Sequence, residues 1–146
     1  MTVTVYHWTG GVGHVALEVV SGKEVRYISW YPEVTKESGN LLGAASALIA
    51  AKPAGQTKAL DLKKKGVAPN IVIIEGLDEG AMISFIDQPR PYYSLFGTSC
   101  AQVVADTLRA GIGGKYNAGI MNLNPVWTPL DATNFARRIR SMYPKK

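Results

Sequence analysis

Hydrophobic and polar positions alternate from Thr2 to Trp8, where β-branched and aromatic residues dominate, and a period of two predicts a first strand. After the glycine-rich turn Thr9-Gly10-Gly11-Val12-Gly13, the run His14-Val15-Ala16-Leu17-Glu18-Val19-Val20 alternates again. It predicts a second strand with Val15, Leu17 and Val19 on one face and His14, Ala16 and Glu18 on the other. Ser21-Gly22-Lys23 supplies a tight turn, and Glu24 to Tyr31 reads as a third strand. With Gly22-Lys23 as a two-residue loop, Ser21 faces Glu24, Ser29 lies opposite Ala16, and His14 faces Tyr31. Ile28 and Trp30 then join the apolar face, and the other face carries His14, Glu18, Tyr27 and Ser29. A slip of one residue would exchange the faces of the third strand.

Downstream the period changes. Pro32 to Asn40 is a polar loop, and the alanine- and leucine-rich stretch Leu41 to Lys52 predicts a short helix ended by Pro53 and Gly55. Gln56 to Ala68 is polar and basic, with no element assigned. Ile71-Val72-Ile73-Ile74 is a short buried strand by length and branching. Asp78 caps a helix reaching about Gln88, stopped by Pro89 and Pro91. Ala101, Val103, Val104, Thr107 and Leu108 recur at helical spacing behind Ser99, an N-cap with Gln102 three residues on; Gly111 can close that helix in a left-handed conformation. Gly111 to Asn124 reads as loop. Thr128-Pro129-Leu130-Asp131 opens a last helix to about Met142.

The 146 residues, 47% hydrophobic and 18% charged, suit one globular domain, and there is no repeat, long linker or second domain. The predicted class is α+β, a small antiparallel sheet packed against helices. No apolar run reaches bilayer length, so no stable membrane insertion is expected. The first residues lack a signal-peptide core, so activity outside the cytoplasm would require another route. The net charge is +5, with Lys63-Lys64-Lys65 and the arginines near the C-terminus prominent. That balance fits an anionic partner such as cell-wall polymer, phospholipid, nucleic acid or an acidic inhibitor, or simply a solvated basic face. No nucleic-acid motif accompanies it, and no nucleic-acid partner is expected.

The single cysteine excludes an internal disulfide, and one cysteine with two histidines matches no zinc spacing, so neither metal nor cofactor is expected. Cys100 would be the first residue of its helix. There, unpaired N–H groups and the positive helix end favour the thiolate. A small buried cysteine that only packs is the alternative. His14 starts a strand just after a glycine loop, and a lone cysteine with a distant histidine is a candidate dyad that folding can assemble. Tyr92-Tyr93-Ser94-Leu95-Phe96, just before Cys100, could line a cleft or pack in the core.

Three segments in order carry a resemblance: Tyr6-His7-Trp8 with Gly13-His14-Val15-Ala16-Leu17-Glu18, then Tyr27-Ile28-Ser29-Trp30-Tyr31-Pro32, then Thr98-Ser99-Cys100-Ala101-Gln102-Val103-Val104-Ala105. This order resembles the circularly permuted branch of the papain-like, NlpC-type hydrolases, in which the histidine strand precedes the cysteine helix, as it does in the lecithin:retinol acyltransferase group. The first two segments are also similar to small domains of bacterial toxins, including type VI secretion effectors. The resemblance implies a permuted papain-like domain over residues 1–146, with Cys100 as nucleophile and His14 as general base. A third, orienting residue is expected on the following strand, where Ser29 stands, with Tyr27 and Glu18 nearby. The Cys100 backbone N–H would serve an oxyanion, with Tyr6 a possible second donor. The implied substrate is an amide or peptide bond of bacterial peptidoglycan, cut by an antibacterial effector delivered to a target periplasm by a secretion system. An acidic immunity protein would be its inhibitor. A lipid acyl hydrolase or acyltransferase, or a non-catalytic binding module, is the alternative.

Overall fold

A computed structural model describes residues 2–9, 13–32, 53–55, 57–88, 100–113 and 128–142. The predicted helix over 41–52, the Ser99 cap, the aromatic run 92–96 and most of the glycine-rich loop lie outside them. Strands β1 (Thr2–Trp8), β2 (His14–Ser21), β3 (Glu24–Ile28) and β6 (Asn70–Ile74) form an antiparallel sheet in the order β3-β2-β1-β6. Strands β4 (Trp30–Pro32) and β5 (Pro53–Gly55) form a second, two-stranded ladder. The described helices are α1 (Lys58–Lys65), α2 (Glu79–Ile86), α3 (Cys100–Ile112) and α4 (Pro129–Met142). The molecule is therefore α+β, an antiparallel sheet packed against helices.

Alternation divides the sheet as the sequence pattern requires. Val3, Val5, Val15, Leu17, Val19, Ile28, Val72 and Ile74 face α2, α3 and α4 and share one core with Met82, Leu108, Phe135 and Ile139. Full burial of a side chain such as Leu17, Leu108 or Ile139 contributes about 1.5–3 kcal/mol. The outer face carries a smaller cluster of Tyr6, Trp8 and Ala16, with Tyr27 against it. The β2–β3 hairpin has the expected register, Ser21 opposite Glu24 and Leu17 opposite Ile28.

Four expectations need correction. The third strand is not continuous to Tyr31: its ladder with β2 ends at Leu17–Ile28, and Trp30 to Pro32 leave to pair with Pro53 to Gly55. Pro53 and Gly55 therefore belong to a strand, the proline at its first position, where strands tolerate one. Residues 58–65 form a helix, capped by the Thr57 hydroxyl, which accepts the Leu60 N–H, and closed by Gly66 at φ 65°. The turn after α3 falls at Gly113 (φ 59°), two residues beyond Gly111, which stays helical and packs against Met82. The other predicted caps form: Asp78 accepts the Ala81 N–H, and Thr128 and Asp131 bond each other's backbone reciprocally.

Candidate active site

His14 opens β2 and points to the outer face, where its ring stacks on Trp8, its cross-strand partner, at 5.7 Å and 26°. Trp8 is fixed in turn by donating its indole N–H to the Val67 carbonyl. The His14 Nε2 atom lies 2.9 Å from the Ser29 Oγ and 3.8 Å from the Asp61 Oδ2. Ser29 sits where the third strand breaks, which frees its side chain to serve the imidazole rather than a sheet face. Asp61, from α1, is fully buried and also accepts the Tyr27 hydroxyl at 2.5 Å. Protons can be placed so that every member is satisfied: Nε2–H donates to Ser29, and Ser29 and Tyr27 donate to the carboxylate.

Charge follows from these contacts. Burial holds His14 below its usual pKa against the opposing pull of Asp61, so the ring is a neutral base at pH 7. Burial alone would push the Asp61 carboxyl up. Interactions with His14, Ser29 and Tyr27 outweigh it and hold the group below the ordinary carboxylate value.

Cys100 is the first residue of α3, as the sequence predicts, and is 8% exposed. The backbone N–H groups of Val15, the residue after His14, and of its own helix start favour charge on its sulfur. Continuing the β2–β3 register would set Trp30 opposite Val15. The ladder instead stops at Leu17–Ile28. Ser29 thus meets His14 on the outer face at the start of β2, while Cys100 lies in the helix-side core with Val15, the next residue of that strand. The structure corrects the expected thiolate: burial pushes the Cys100 thiol up, and the amides together with the nearby Lys65 charge only partly oppose it.

Of the other orienting candidates, Tyr27 donates its hydroxyl to Asp61. Glu18 is turned away, accepting the Tyr6 hydroxyl at 3.0 Å and Lys58 Nζ at 3.1 and 3.2 Å. Tyr6 donates its hydroxyl to Glu18, with Lys58 over its ring. The carboxylate that sequence reasoning missed is Asp61. Thr57 and Gly66 bracket a helix-length segment whose one acid is Asp61, and that framing was the available signal.

A sequence profile of the IcsB middle domain matches residues 50–144, more than half of the chain. The chain belongs to the IcsB middle-domain family. The family's segment runs from before α1 to the end of α4, so it contains Asp61 and Cys100 and begins after His14 and Ser29. No curated protein and no solved structure matches the chain.

Proposed function

We propose that the chain is a cysteine hydrolase that cuts an amide bond through a thioester, with Cys100 as nucleophile, His14 as general base, and Ser29 and Asp61 orienting that base. The observation that carries the reading is the buried His14–Ser29–Asp61 chain, which starts one residue before Val15, the neighbour of Cys100 in the core. With Nε2 directed to Ser29 and Asp61, the Nδ1 side of the ring serves the thiol. The Cys100 proton passes to the imidazole as sulfur attacks the carbonyl carbon. The imidazolium, stabilised by Asp61, returns the proton to the departing amine, leaving an acyl-cysteine. Water then adds with His14 again as base, the C–S bond breaks, and acid and thiol are released.

The permuted papain-like order of histidine strand before cysteine helix supports this chemistry. Peptidoglycan peptide or amide bonds are the proposed substrate, supported by that order and by the net charge of +5. The IcsB family is one of secreted effectors, which supports delivery into a target cell, the periplasm being the proposed site of action and an acidic immunity protein the proposed inhibitor. A second reading, hydrolysis or transfer of a lipid acyl group, is favoured by the exposed aliphatic side chains of Leu60, Leu62 and Val67 around Asp61.

Incubation with purified peptidoglycan and, separately, with phospholipid vesicles, followed by mass spectrometry of released products, decides between them. Muropeptide fragments lost in Cys100→Ala and His14→Ala establish the first reading; free fatty acid or acylated acceptor establishes the second. Product released undiminished by folded Cys100→Ala removes both.

A further inference from the structure

We propose that Lys65 is a positioning residue of the Cys100–His14 pair, a fixed cation one helical turn from Asp61 that favours charge on the sulfur while Asp61 favours it on the imidazole. The inference rests on the reading of those two side chains as nucleophile and base. Its ground is the way α1 lies on the sheet. The helix turns a polar stripe inward: Asp61 is fully buried and Lys58 and Lys65 are half-buried, whereas Ala59, Leu60, Leu62 and Lys63 are exposed. Positions i, i+3 and i+7 share one helix face, so these three side chains look the same way. The sheet shows where each comes. Lys58 Nζ meets Glu18 of β2, and Asp61 lies 3.8 Å from His14, four residues earlier on that strand. Gly66 ends the helix directly after Lys65, and the Val67 carbonyl then accepts the indole N–H of Trp8, which stacks on His14. The helix therefore advances along β2 from Glu18 toward His14. Lys65, between Asp61 and Val67, falls at the end where β2 begins, and Cys100 reaches that end from the helix side, in the core with Val15.

From this place one charge acts on both reacting groups. It opposes the rise that burial imposes on the thiol, and it adds to the fall that burial imposes on the ring. Asp61 pulls the ring the other way and outweighs Lys65 there. When the proton has passed from sulfur to imidazole, the imidazolium therefore has Asp61 beside it and the sulfur has Lys65. When the ring must be neutral to activate water, Lys65 favours that form. Other charged and titratable groups also face this region. On the outer face Glu18 bonds Tyr6 and Lys58, and Tyr27 bonds Asp61. On the helix side His7 of β1 pairs with Val15 across the strands and feels Arg137 of α4.

Two titrations of the purified chain test this: the rate at which iodoacetamide alkylates Cys100, the single cysteine, and the NMR signal of the His14 ring, assigned with His7→Leu. In Lys65→Met both midpoints are expected to move to higher pH, and alkylation at pH 7 to slow about threefold or more. A residue that only packs would change rates without moving both midpoints in one direction. Lys65→Arg, which keeps the charge, should restore both, and Lys63→Met, the same loss on the exposed side of α1, should move neither. Circular dichroism checks the fold, and Lys65→Gln, which keeps a polar end without the charge, takes the place of Lys65→Met if that variant unfolds. Midpoints that stay in place in the uncharged variant overturn the inference, as do midpoints that separate in opposite directions or that move as far in Lys65→Arg or Lys63→Met. Both readouts follow the side chains themselves. Moved midpoints in a chain that releases no product would therefore fail the hydrolase reading and leave the placement of the charge standing.

Discussion

The Tyr27 hydroxyl donates to Asp61 Oδ2 at 2.5 Å, joining the third strand to a helix 34 residues later. Through that bond Tyr27 sets how strongly Asp61 acts on His14. Tyr27→Phe should let the Asp61 carboxyl rise, strengthen its hold on the imidazolium, and move the acid limb of kcat/KM to higher pH. Loss of one hydrogen bond to a charged group should cost about 1.5 kcal/mol in urea unfolding. A Phe variant with an unmoved acid limb would show that Asp61 does not feel Tyr27.

Asp61→Asn should move the same limb the other way. The carboxylate raises the His14 pKa against burial, so its loss leaves a weaker base. The imidazolium formed during attack also loses its counter-charge, and kcat should fall about 10²- to 10⁴-fold. Asp61→Ala should be worse for the fold, because it strands the Tyr27 and Ser29 hydroxyls at about 1–3 kcal/mol for each buried group left unsatisfied. Steady-state pH profiles of the Phe and Asn variants, displaced in opposite directions, are the check.

Ser29→Ala separates bridge from acid. Without the Oγ, Nε2 faces Asp61 across 3.8 Å, too long for a direct bond. The ring keeps its Trp8 stacking but loses its nearest orienting contact, so kcat should fall about tenfold to a hundredfold with KM little changed, between wild type and Asp61→Asn. Activity equal to wild type would leave Asp61 as the whole orienting group.

The half of the site on β2 and β3 was legible because a period of two fixes faces and a two-residue loop fixes register. His14, Tyr27 and Ser29 fell on one side by that logic alone. Asp61 was hidden because α1 has no inward apolar stripe; its leucines point out, and periodicity finds a helix by the residues it buries. The break at Ser29 was equally silent, since Tyr27 to Tyr31 keeps alternating while the chain leaves one ladder for another. The thiol's state depended on a competition that a helix N-terminus does not decide: desolvation against a few amides.

Those titrations set a pH window for stability. His14 and His7 are both held below their ordinary value, by burial first in each case, so the folded state prefers neutral rings. Their contribution is complete above about pH 6.5 and is lost as pH falls. Asp61, also lowered, adds a second loss at more acid pH as it is protonated in the fold. Cys100 is raised, so its contribution is complete below its ordinary value and declines as pH climbs past about 8.5. Urea midpoints should form a plateau between those limits and fall on both sides. Cys100→Ala should flatten the alkaline side and His7→Leu part of the acid side, because the His7 Nδ1 is buried without a hydrogen bond. An alkaline decline unchanged in Cys100→Ala would assign it elsewhere.

The seam between α2 and α3 supplies a prediction away from the chemistry. Gly111 is helical, and its carbonyl accepts the Asp78 N–H at 2.9 Å, tying the end of α3 to the start of α2. A Cβ at this position would stand 2.5 Å from Met82 Sδ, 2.8 Å from Met82 Cγ and 3.3 Å from Leu77 Cβ. Alanine favours a helix over glycine by roughly 1 kcal/mol, but Met82 is fully buried and can yield only by disturbing the core around it, at about 1–3 kcal/mol. The clash outweighs the propensity, and Gly111→Ala should lower stability by about 1 kcal/mol. Adding Met82→Ala should relieve part of that clash, so the double variant should be more stable than the sum of the two single losses predicts. A double-mutant cycle in urea reads the coupling directly, and strictly additive losses would show that the two side chains never meet.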